Sequence, residues 1–386
     1  MKIKTYNKIA KIGLDKFGKN YEVGEDVENE DGIVLRSAKL HDLEFNPNLK
    51  AIARAGAGVN NVPVDRCSEN GIVVFNTPGA NANGVKELVL LGLILASRPV
   101  HDALLYTDQL EPTDEVPALV EKEKSKFKGT EIAGKTLGVI GLGAIGIKVA
   151  NAALALGMKV YGYDPYLSVD AAWQLSKDVK HSKNIDAMCK VCDFITVHVP
   201  LTDKTRNLIG EKQISLMKEE AVILNMARGG LVDDNAAVKA LEEGRIKKYV
   251  VDFPSKDVIG KKGVLAIPHL GASTEESEDT CAVMAAEELI EFLEDGNITN
   301  SVNLGTISMP RSGKARITVF HKNVPNMLAQ ISEVVSNGKL NIANMLNKSK
   351  GDYAYTIVDL DAAKNLDDVA INLNKIDSVL RVNIYK

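Results

Sequence analysis

The chain has 386 residues, of which 45% are hydrophobic and 25% charged, and its net charge is −4. This composition excludes a disordered chain, and the charge gives no reason to expect nucleic acid or an anionic membrane as a partner. The longest apolar run, Leu88 to Ser97, is shorter than the roughly 20 residues of a membrane span, and no signal peptide opens the chain, so we expect a soluble, cytoplasmic protein.

At about 150 residues per domain, the length predicts two or three domains. In the N-terminal part, short apolar runs predict buried strands of a small parallel α/β domain, at Gly32–Leu35, Ala51–Arg54 and Ile72–Phe75. We expect one long helix from Ala82 to about Asp108 and a charged loop over residues 111–130.

From Lys135 onward, short apolar runs alternate regularly with helical patterns, which predicts a doubly wound sheet. The strands are expected at Thr136–Ile140, Lys159–Asp164, Phe194–Val199, Ala221–Asn225, Tyr249–Phe253 and Val264–Ile267. A helix over Thr274–Glu294 and a linker follow. Residues 314–386 then show the β-α-β-β-α-β order of a ferredoxin-like domain.

Four cysteines are too few for a disulfide framework in a chain of this length. Cys189 and Cys192 have the spacing of a redox or zinc pair, but zinc needs a second pair of ligands and none is nearby. We therefore interpret both cysteines as core residues.

The run Gly141-Leu142-Gly143-Ala144-Ile145-Gly146 follows a predicted strand and opens a predicted helix, the context of a dinucleotide-binding loop. Gly141 permits the tight turn, Gly143 lets the backbone approach a pyrophosphate, and Gly146 lets helix and strand pack closely. Asp164 ends the next strand, where it would accept hydrogen bonds from ribose hydroxyls and repel a 2′-phosphate. Because no arginine follows it directly, the sequence predicts NAD rather than NADP.

Reactive side chains follow three later strands of this sheet: Arg228, Asp252 and His269. Ligands of open α/β sheets bind beyond the carboxyl ends of the strands. Arginine can hold a carboxylate in bidentate fashion, and histidine can carry the proton that accompanies hydride transfer. The pattern favours a hydride-transfer site beside the cofactor.

Nearly end to end, the chain resembles the D-isomer-specific 2-hydroxyacid dehydrogenases. Besides the cofactor loop, the resemblance is carried by four stretches: Arg54–Val59 (RAGAGV), Asn76–Gly79 (NTPG), Ala227–Asp233 (ARGGLVD) and Pro268–Thr274 (PHLGAST). It implies two doubly wound Rossmann-like domains of the α/β class: a split substrate domain over residues 1–98 and 271–304, and an NAD domain over residues 99–270.

The resemblance also implies NAD-dependent oxidation of 3-phosphoglycerate, the first step of serine synthesis. Arg228 would hold the substrate carboxylate and carbonyl, and His269 would transfer the proton. The residues implied around NAD are Gly141, Gly143, Ala144, Ile145, Gly146, Asp164, Met226, Ala227, Arg228, Asp252, His269, Gly271 and Ala272. Those implied around the substrate are Arg36, Lys39, Arg54, Ala57 and Gly58.

One position departs from the family pattern. A glutamate normally follows the equivalent of Asp252 by a few residues and orients the histidine, but Ser255 stands in its place here. A carboxylate beside a histidine stabilises the imidazolium and fixes the tautomer. We therefore expect a reduced rate, unless Asp257 or a substrate phosphate substitutes.

Residues 314–386 resemble an ACT domain, a regulatory α+β module that often binds amino acids. In serine-sensitive relatives, a His-x-Asn pair and a later Asn hold L-serine at a dimer interface. His321, Asn323 and Asn341 occupy the matching positions. Asn326 replaces a usual glycine, so a domain used only for oligomerisation stays the alternative. We expect a homodimer or homotetramer.

Three functions remain open at this point. The first is oxidation of 3-phosphoglycerate. The second is another 2-hydroxyacid dehydrogenase, such as a glyoxylate or hydroxypyruvate reductase, since fold analogy does not fix a substrate. The third is a catalytically weak NAD-sensing regulator, which the missing glutamate favours and the intact Arg228 and His269 oppose.

Overall fold

The computed structural model describes residues 1–386 and divides the chain into two compact units. Unit 1 joins Met1–Asn81 to Glu275–Lys386, and unit 2 is Ala82–Thr274. The expected boundary at residue 98 differs from this division by one helix, since the helix that begins at Ala82 lies in unit 2.

The N-terminal segment of unit 1 forms a five-stranded parallel sheet. Its elements are β1 (Lys2–Tyr6), α1 (Lys11–Leu14), β2 (Glu22–Gly24), β3 (Gly32–Leu35), β4 (Ala51–Arg54), α2 (Val64–Glu69) and β5 (Val73–Asn76). The strand order is β2-β1-β3-β4-β5. The three predicted strands are confirmed, and the charged strand β1 and the short β2 extend the sheet beyond them.

Unit 2 contains a seven-stranded parallel sheet. Its helices are α3 (Ala82–Ser97), α4 (Val100–Thr107), α5 (Val116–Glu123), α6 (Ala144–Ala155), α7 (Val169–Gln174), α8 (Ile185–Val191), α9 (Glu211–Leu216) and α10 (Asp234–Glu242). Its strands are β6 (Thr136–Ile140), β7 (Lys159–Tyr163), β8 (Lys180–His181), β9 (Phe194–Val197), β10 (Ala221–Asn225), β11 (Ile246–Val251) and β12 (Val264–Ala266). The order β12-β11-β10-β9-β6-β7-β8 confirms the doubly wound sheet. Its topological switch lies between β6 and β9, where such sheets bind ligands.

The expected single helix from Ala82 to Asp108 is wrong. Pro99 has no amide hydrogen and disfavours a helical conformation at Arg98, so α3 ends at Ser97 and α4 leaves it at an angle of 75°. By length and apolar composition, no single helix of the structure could cross a membrane, and only this bent pair passes such a test when taken together.

The expected loop over residues 111–130 is also partly wrong, because it contains α5 and a short 3-10 helix, Lys124–Phe127. Pro117 lies in the first turn of α5, where its missing amide hydrogen removes no helical hydrogen bond.

Residues 275–386 complete unit 1. Helix α11 (Glu275–Asp295) packs on β3, β4 and β5. The C-terminal domain follows as β13 (Ala315–Lys322), α12 (Met327–Asn337), β14 (Ile342–Lys350), β15 (Tyr353–Leu360), α13 (Leu366–Leu373) and β16 (Val379–Tyr385). Along the chain, these elements follow the predicted β-α-β-β-α-β order. The four strands form an antiparallel sheet in the order β14-β15-β13-β16.

A buried ion pair joins the C-terminal domain to the rest of unit 1. Arg316 on β13 donates from Nε to Asp359 on β15 over 2.6 Å, and both side chains are at most 1% exposed. The same guanidinium donates to the main-chain oxygens of Asp295, at the end of α11, and of Met309. Burial alone would raise the pKa of Asp359, but the bonds from Arg316 and Ser312 keep the pKa below its ordinary value.

Cys189 and Cys192 are buried in the core of unit 2, as expected of packing residues. Burial raises the pKa of both thiols to about 12, so neither carries the thiolate that redox chemistry or a metal needs.

Glu288 on α11 is a buried carboxyl, 5% exposed, that accepts a hydrogen bond from Asn300 over 2.7 Å while its Oε2 has no partner. Burial raises its pKa to about 8, the Asn300 bond opposes this shift, and the charge of Glu291 adds to it. The folded chain thus retains a proton that the unfolded chain releases near pH 4.5, so stability falls as the pH rises from 4.5 to about 8.

We predict that Glu288→Gln abolishes this loss of stability at high pH, because glutamine keeps an acceptor for Asn300 and carries no charge. Its melting temperature should exceed that of the wild type at about pH 9 and differ less at about pH 5. Glu287→Gln, at the exposed neighbour paired with Lys16, is the control. If the melting temperature of Glu288→Gln differs from that of the wild type by the same amount at both pH values, Glu288 does not titrate between them.

Candidate active site

Two glycines at the junction of β6 and α6 are required by packing, one in the loop and one in the first turn of the helix. Gly141 has a φ of +92°, and a Cβ there would lie 2.5 Å from the main-chain oxygen of His198. A Cβ on Gly146 would lie 1.9 Å from the main-chain oxygen of Gly141. Both positions therefore exclude any side chain, as the tight-turn and close-packing roles predict.

Gly143 is different, because nothing inside the protein demands a glycine there. Its φ of −81° suits any residue, it is exposed, and no atom lies within 4 Å of a Cβ built on it. It is the N-cap of α6, whose first turn contains Ala144 and Ile145, and no side chain caps the free amides. The loop thus leaves an open cradle at a helix N-terminus, which fits a pyrophosphate.

Asp164 follows β7 next to this loop. One carboxylate oxygen accepts from the amide of Leu142 over 2.8 Å and the other from the amide of Tyr166, also over 2.8 Å. These bonds fix the carboxylate beside the cradle, and the remaining lone pairs of the half-buried group can accept from ribose hydroxyls. The fit to a dinucleotide therefore includes the acidic residue that the sequence predicted.

Arg228 lies on the loop after β10. The side chain of Asn225, at the end of the strand, accepts from the amide of Ala227 and donates to the main-chain oxygen of Arg228. This clamp fixes the backbone on both sides of the exposed arginine, while Met226 stays buried. The guanidinium donates to the oxygen of Ala227 and keeps further donors for an anionic ligand.

His269 follows β12 in the left-handed region, with a φ of 54°. Such a conformation costs about 1–3 kcal/mol in a residue other than glycine and persists only where neighbours fix it. The fixing group is Asp252, 1% exposed, whose carboxylate accepts from the amides of Leu270 over 2.7 Å and Gly271 over 3.0 Å. A Cβ on Gly271 would approach this carboxylate to 3.0 Å, so glycine is needed for the close approach, and Ala272 follows.

Burial raises the pKa of Asp252 above its ordinary value, and the bonds from Leu270 and Gly271 and the charge of His269 offset part of that shift. The role of this aspartate in the structure is to hold the His269 loop.

The side chain of His269 packs on Phe253, with ring centroids 4.3 Å apart. Arg228 approaches the same ring, and its guanidinium carbon lies 5.4 Å from the centroid. Ser255 faces elsewhere, since its hydroxyl donates to Asp234 over 2.6 Å. His269 takes part in no ion pair. Sequence reasoning missed Phe253, and its position directly after Asp252 was the only available signal.

The residues expected around the substrate lie in unit 1, at the carboxyl ends of β3 and β4. Arg54 donates from Nε to the main-chain oxygen of Arg36 over 3.0 Å. A Cβ on Gly56, which has a φ of +145°, would lie 1.8 Å from the Arg54 guanidinium, so the glycine makes room for it. Asn76 holds the loop through the main-chain oxygen of Ala57, which Gly58 follows.

The cations of this loop cluster are not equivalent. Arg36 forms an ion pair with Glu278 of α11 over 2.7 Å, a partner that the sequence did not reveal. Lys39 is exposed and forms no ion pair in the structure. An anion bound by Arg36 would compete with Glu278 for its guanidinium.

The three residues expected to bind an effector lie in the C-terminal domain but differ in availability. Both ring nitrogens of buried His321 are already engaged, Nδ1 with the main-chain oxygen of Lys322 and Nε2 with Thr356. Asn323 is exposed and donates to the main-chain oxygen of Gly351. Asn341 is exposed as well, so the two asparagines offer polar groups at the surface.

We predict that Gly143→Ala weakens binding of NAD at least about tenfold, or 1.4 kcal/mol, because a methyl group enters the cradle. Its melting temperature without cofactor should stay close to that of the wild type. Gly146→Ala should instead lower the melting temperature, since its Cβ meets the main chain of Gly141. Calorimetric titration and thermal unfolding separate the two, and wild-type affinity in Gly143→Ala would contradict the cradle.

A comparison with known proteins assigns most of unit 2 to a protein family. Residues 103–271 match the D-isomer specific 2-hydroxyacid dehydrogenase, NAD binding domain. The fold is similar to that of the NAD+-bound 3-phosphoglycerate dehydrogenase of Entamoeba histolytica, with a TM-score of 0.61 and 28% identity. That similarity covers 78% of this chain and 98% of the other.

Sequence relatives also match much of the chain. The chain is 36% identical over 353 residues to the D-3-phosphoglycerate dehydrogenase of Methanocaldococcus jannaschii, which covers 89% of this chain and 64% of that protein. It spans 54% of two further D-3-phosphoglycerate dehydrogenases, less than two thirds of their length. It is 38% identical over 276 residues to the hydroxypyruvate reductase of Thermotoga maritima, covering 68% of this chain and 85% of that enzyme. The chain belongs to the D-isomer specific 2-hydroxyacid dehydrogenases, with NAD as its cofactor.

Proposed function

We propose that the protein oxidises D-3-phosphoglycerate to 3-phosphohydroxypyruvate with NAD, the reaction that opens serine synthesis. The observation that carries the proposal is the placement of Arg228 and His269 in unit 2 on loops that Asn225 and Asp252 hold rigidly. The name of the M. jannaschii relative supports the substrate. We also propose that the cations of unit 1, Arg36, Lys39 and Arg54, bind an anionic group of a phosphorylated substrate.

NAD, when bound, supplies the hydride acceptor of the reaction. Arg228 donates to the substrate carboxylate and to the oxygen at C2, where its positive charge favours the carbonyl that forms. His269 accepts the proton that leaves the C2 hydroxyl as the carbon–hydrogen bond breaks. Asp252 keeps His269 in place through the amides of Leu270 and Gly271 and does not itself exchange the proton.

A second candidate is reduction of hydroxypyruvate, which the name of the T. maritima relative supports. Hydroxypyruvate carries a carboxylate and no phosphate, so it would use the charge of Arg228 and leave Lys39 without a role. The two candidates therefore differ in whether a phosphate on the substrate improves the reaction.

We predict that, among hydroxy acids oxidised with NAD, the value of kcat/KM is higher for D-3-phosphoglycerate than for D-glycerate and D-lactate. Among keto acids reduced with NADH, it should be higher for 3-phosphohydroxypyruvate than for hydroxypyruvate. His269→Ala should lower kcat by about 10²–10⁴-fold, because the proton then has no acceptor at the site. A preference for hydroxypyruvate would instead select the second candidate. Tight binding of NAD with no turnover of any substrate would indicate a sensor of the cofactor.

We further propose that residues 314–386 form an ACT domain whose ligand is L-serine, the end product of the proposed pathway. The exposed Asn323 and Asn341 support this, while the internally bonded His321 supplies shape rather than free hydrogen-bonding groups. The homodimer or homotetramer expected from the sequence belongs to the same proposal, because the related serine sites lie at a dimer interface.

We predict that L-serine lowers the rate and raises the melting temperature, since a ligand of the folded state stabilises it. Asn341→Ala should weaken both effects at least about tenfold in serine concentration, the loss expected for one hydrogen bond to a charged ligand. Asn374→Ala, at an exposed asparagine of α13's C-terminus, is the control. If serine changes neither rate nor melting temperature, the domain serves another purpose.

A further inference from the structure

We propose that Phe253 is a positioning residue that holds His269 and Arg228 in their working orientations, in place of a carboxylate beside the histidine. The inference rests on the proposed function for the identity of the reaction. It rests on the structure alone for the arrangement of the three side chains.

The aromatic ring lies against both functional groups. Its centroid is 4.3 Å from that of the His269 ring, with 45° between the planes, and 5.4 Å from the guanidinium carbon of Arg228. Tilted ring pairs at this separation are favourable, and a guanidinium within about 6 Å of a ring centroid is attracted to its face. One half-buried side chain thus gives two exposed ones a common surface.

The backbone of Phe253 is itself held in place. It follows Asp252, whose amide donates to the main-chain oxygen of Asn225, so the loops that carry Arg228 and Phe253 are linked. Gly229, next to Arg228, lies close to Phe253, since a Cβ built on it would be in van der Waals contact with the Cβ of Phe253 at 3.7 Å. The backbone that carries the ring is therefore fixed near all three loops of the site.

Ser255, which stands where the family has a glutamate, bonds to Asp234 rather than to His269. Asp234 accepts from Ser255 over 2.6 Å and from the hydroxyl of buried Tyr249 over 2.9 Å. These bonds tie Asp234 and Ser255 to the start of α10. The imidazole ring of His269 instead packs on the ring of Phe253.

Long side chains at the surface sample several rotamers, and catalysis needs one of them. An aromatic contact at an exposed site biases such a population by about two- to fivefold for each partner. Both Arg228 and His269 must be in place in the same molecule, so the two biases multiply. Loss of the ring should therefore act mainly on kcat and little on the binding of NAD.

The test compares Phe253→Leu, which keeps an apolar side chain, with Phe253→Tyr, which keeps the ring. We expect Phe253→Leu to lower kcat about tenfold while the Kd for NAD changes less than about twofold, and Phe253→Tyr to recover most of the rate. Phe45→Leu is the matched control, since Phe45 is a half-buried phenylalanine under Arg66, with 4.4 Å from guanidinium carbon to centroid. Equal loss of rate in the leucine and tyrosine variants would overturn the proposal.

A second measurement does not depend on turnover. The chain has six histidines, and the imidazole resonances of His269 can be assigned by their disappearance in His269→Gln. A ring at 4.3 Å shifts these resonances, so Phe253→Leu should move them while Phe45→Leu leaves them in place. If the proposed substrate fails but the resonances move, the positioning role stands and the reaction is wrong; if they do not move, the positioning role is wrong.

Discussion

The carboxylate of Asp252 is the constraint on which the site depends. It is buried at the end of β11 and accepts the amides of Leu270 and Gly271. These two bonds, with those from the His269 amide to the main-chain oxygens of Asp252 and Ile267, hold His269 in a left-handed conformation that costs an ordinary residue free energy. A buried acidic residue thus decides where His269 stands.

Around Asp252, the site in unit 2 combines a rigid loop backbone with mobile side chains. The glycine loop, the Asn225 clamp and the Asp252 bonds fix the backbone of three loops at the carboxyl ends of the strands. The groups that would meet a substrate, Arg228 and His269, project from these loops into solvent. The apolar ring of Phe253 lies between the fixed backbone and these side chains, so a single ring can influence both Arg228 and His269.

Features that depend on local sequence were predictable. Apart from β1, β2 and β8, the strands of both parallel sheets follow from short apolar runs. The glycine loop and Asp164 follow from a motif with a physical reason for each residue. The bend between α3 and α4 was predictable as well, because Pro99 stands at the break, but the apolar pattern on both sides hid it. Strand β1 was not predicted because lysines alternate with its buried residues Ile3 and Thr5.

Features that depend on contacts between distant segments were not predictable. The sequence placed Arg228 and His269 at strand ends, but no pattern joins either of them to Phe253. The ion pair of Arg36 with Glu278 links β3 to α11 across most of the chain. In the same way, His321 matched a motif while the structure uses both of its ring nitrogens internally.

The Arg316–Asp359 pair has a thermodynamic consequence. Its guanidinium also bonds the end of α11, the helix that packs on the first sheet, and breaking the pair would leave a buried ion without a partner. If the proposed effector and the proposed anion both bind unit 1, any coupling between them is reciprocal. Whatever factor an amino acid bound to the C-terminal domain imposes on the affinity of the first sheet for its anion, that anion imposes the same factor in return.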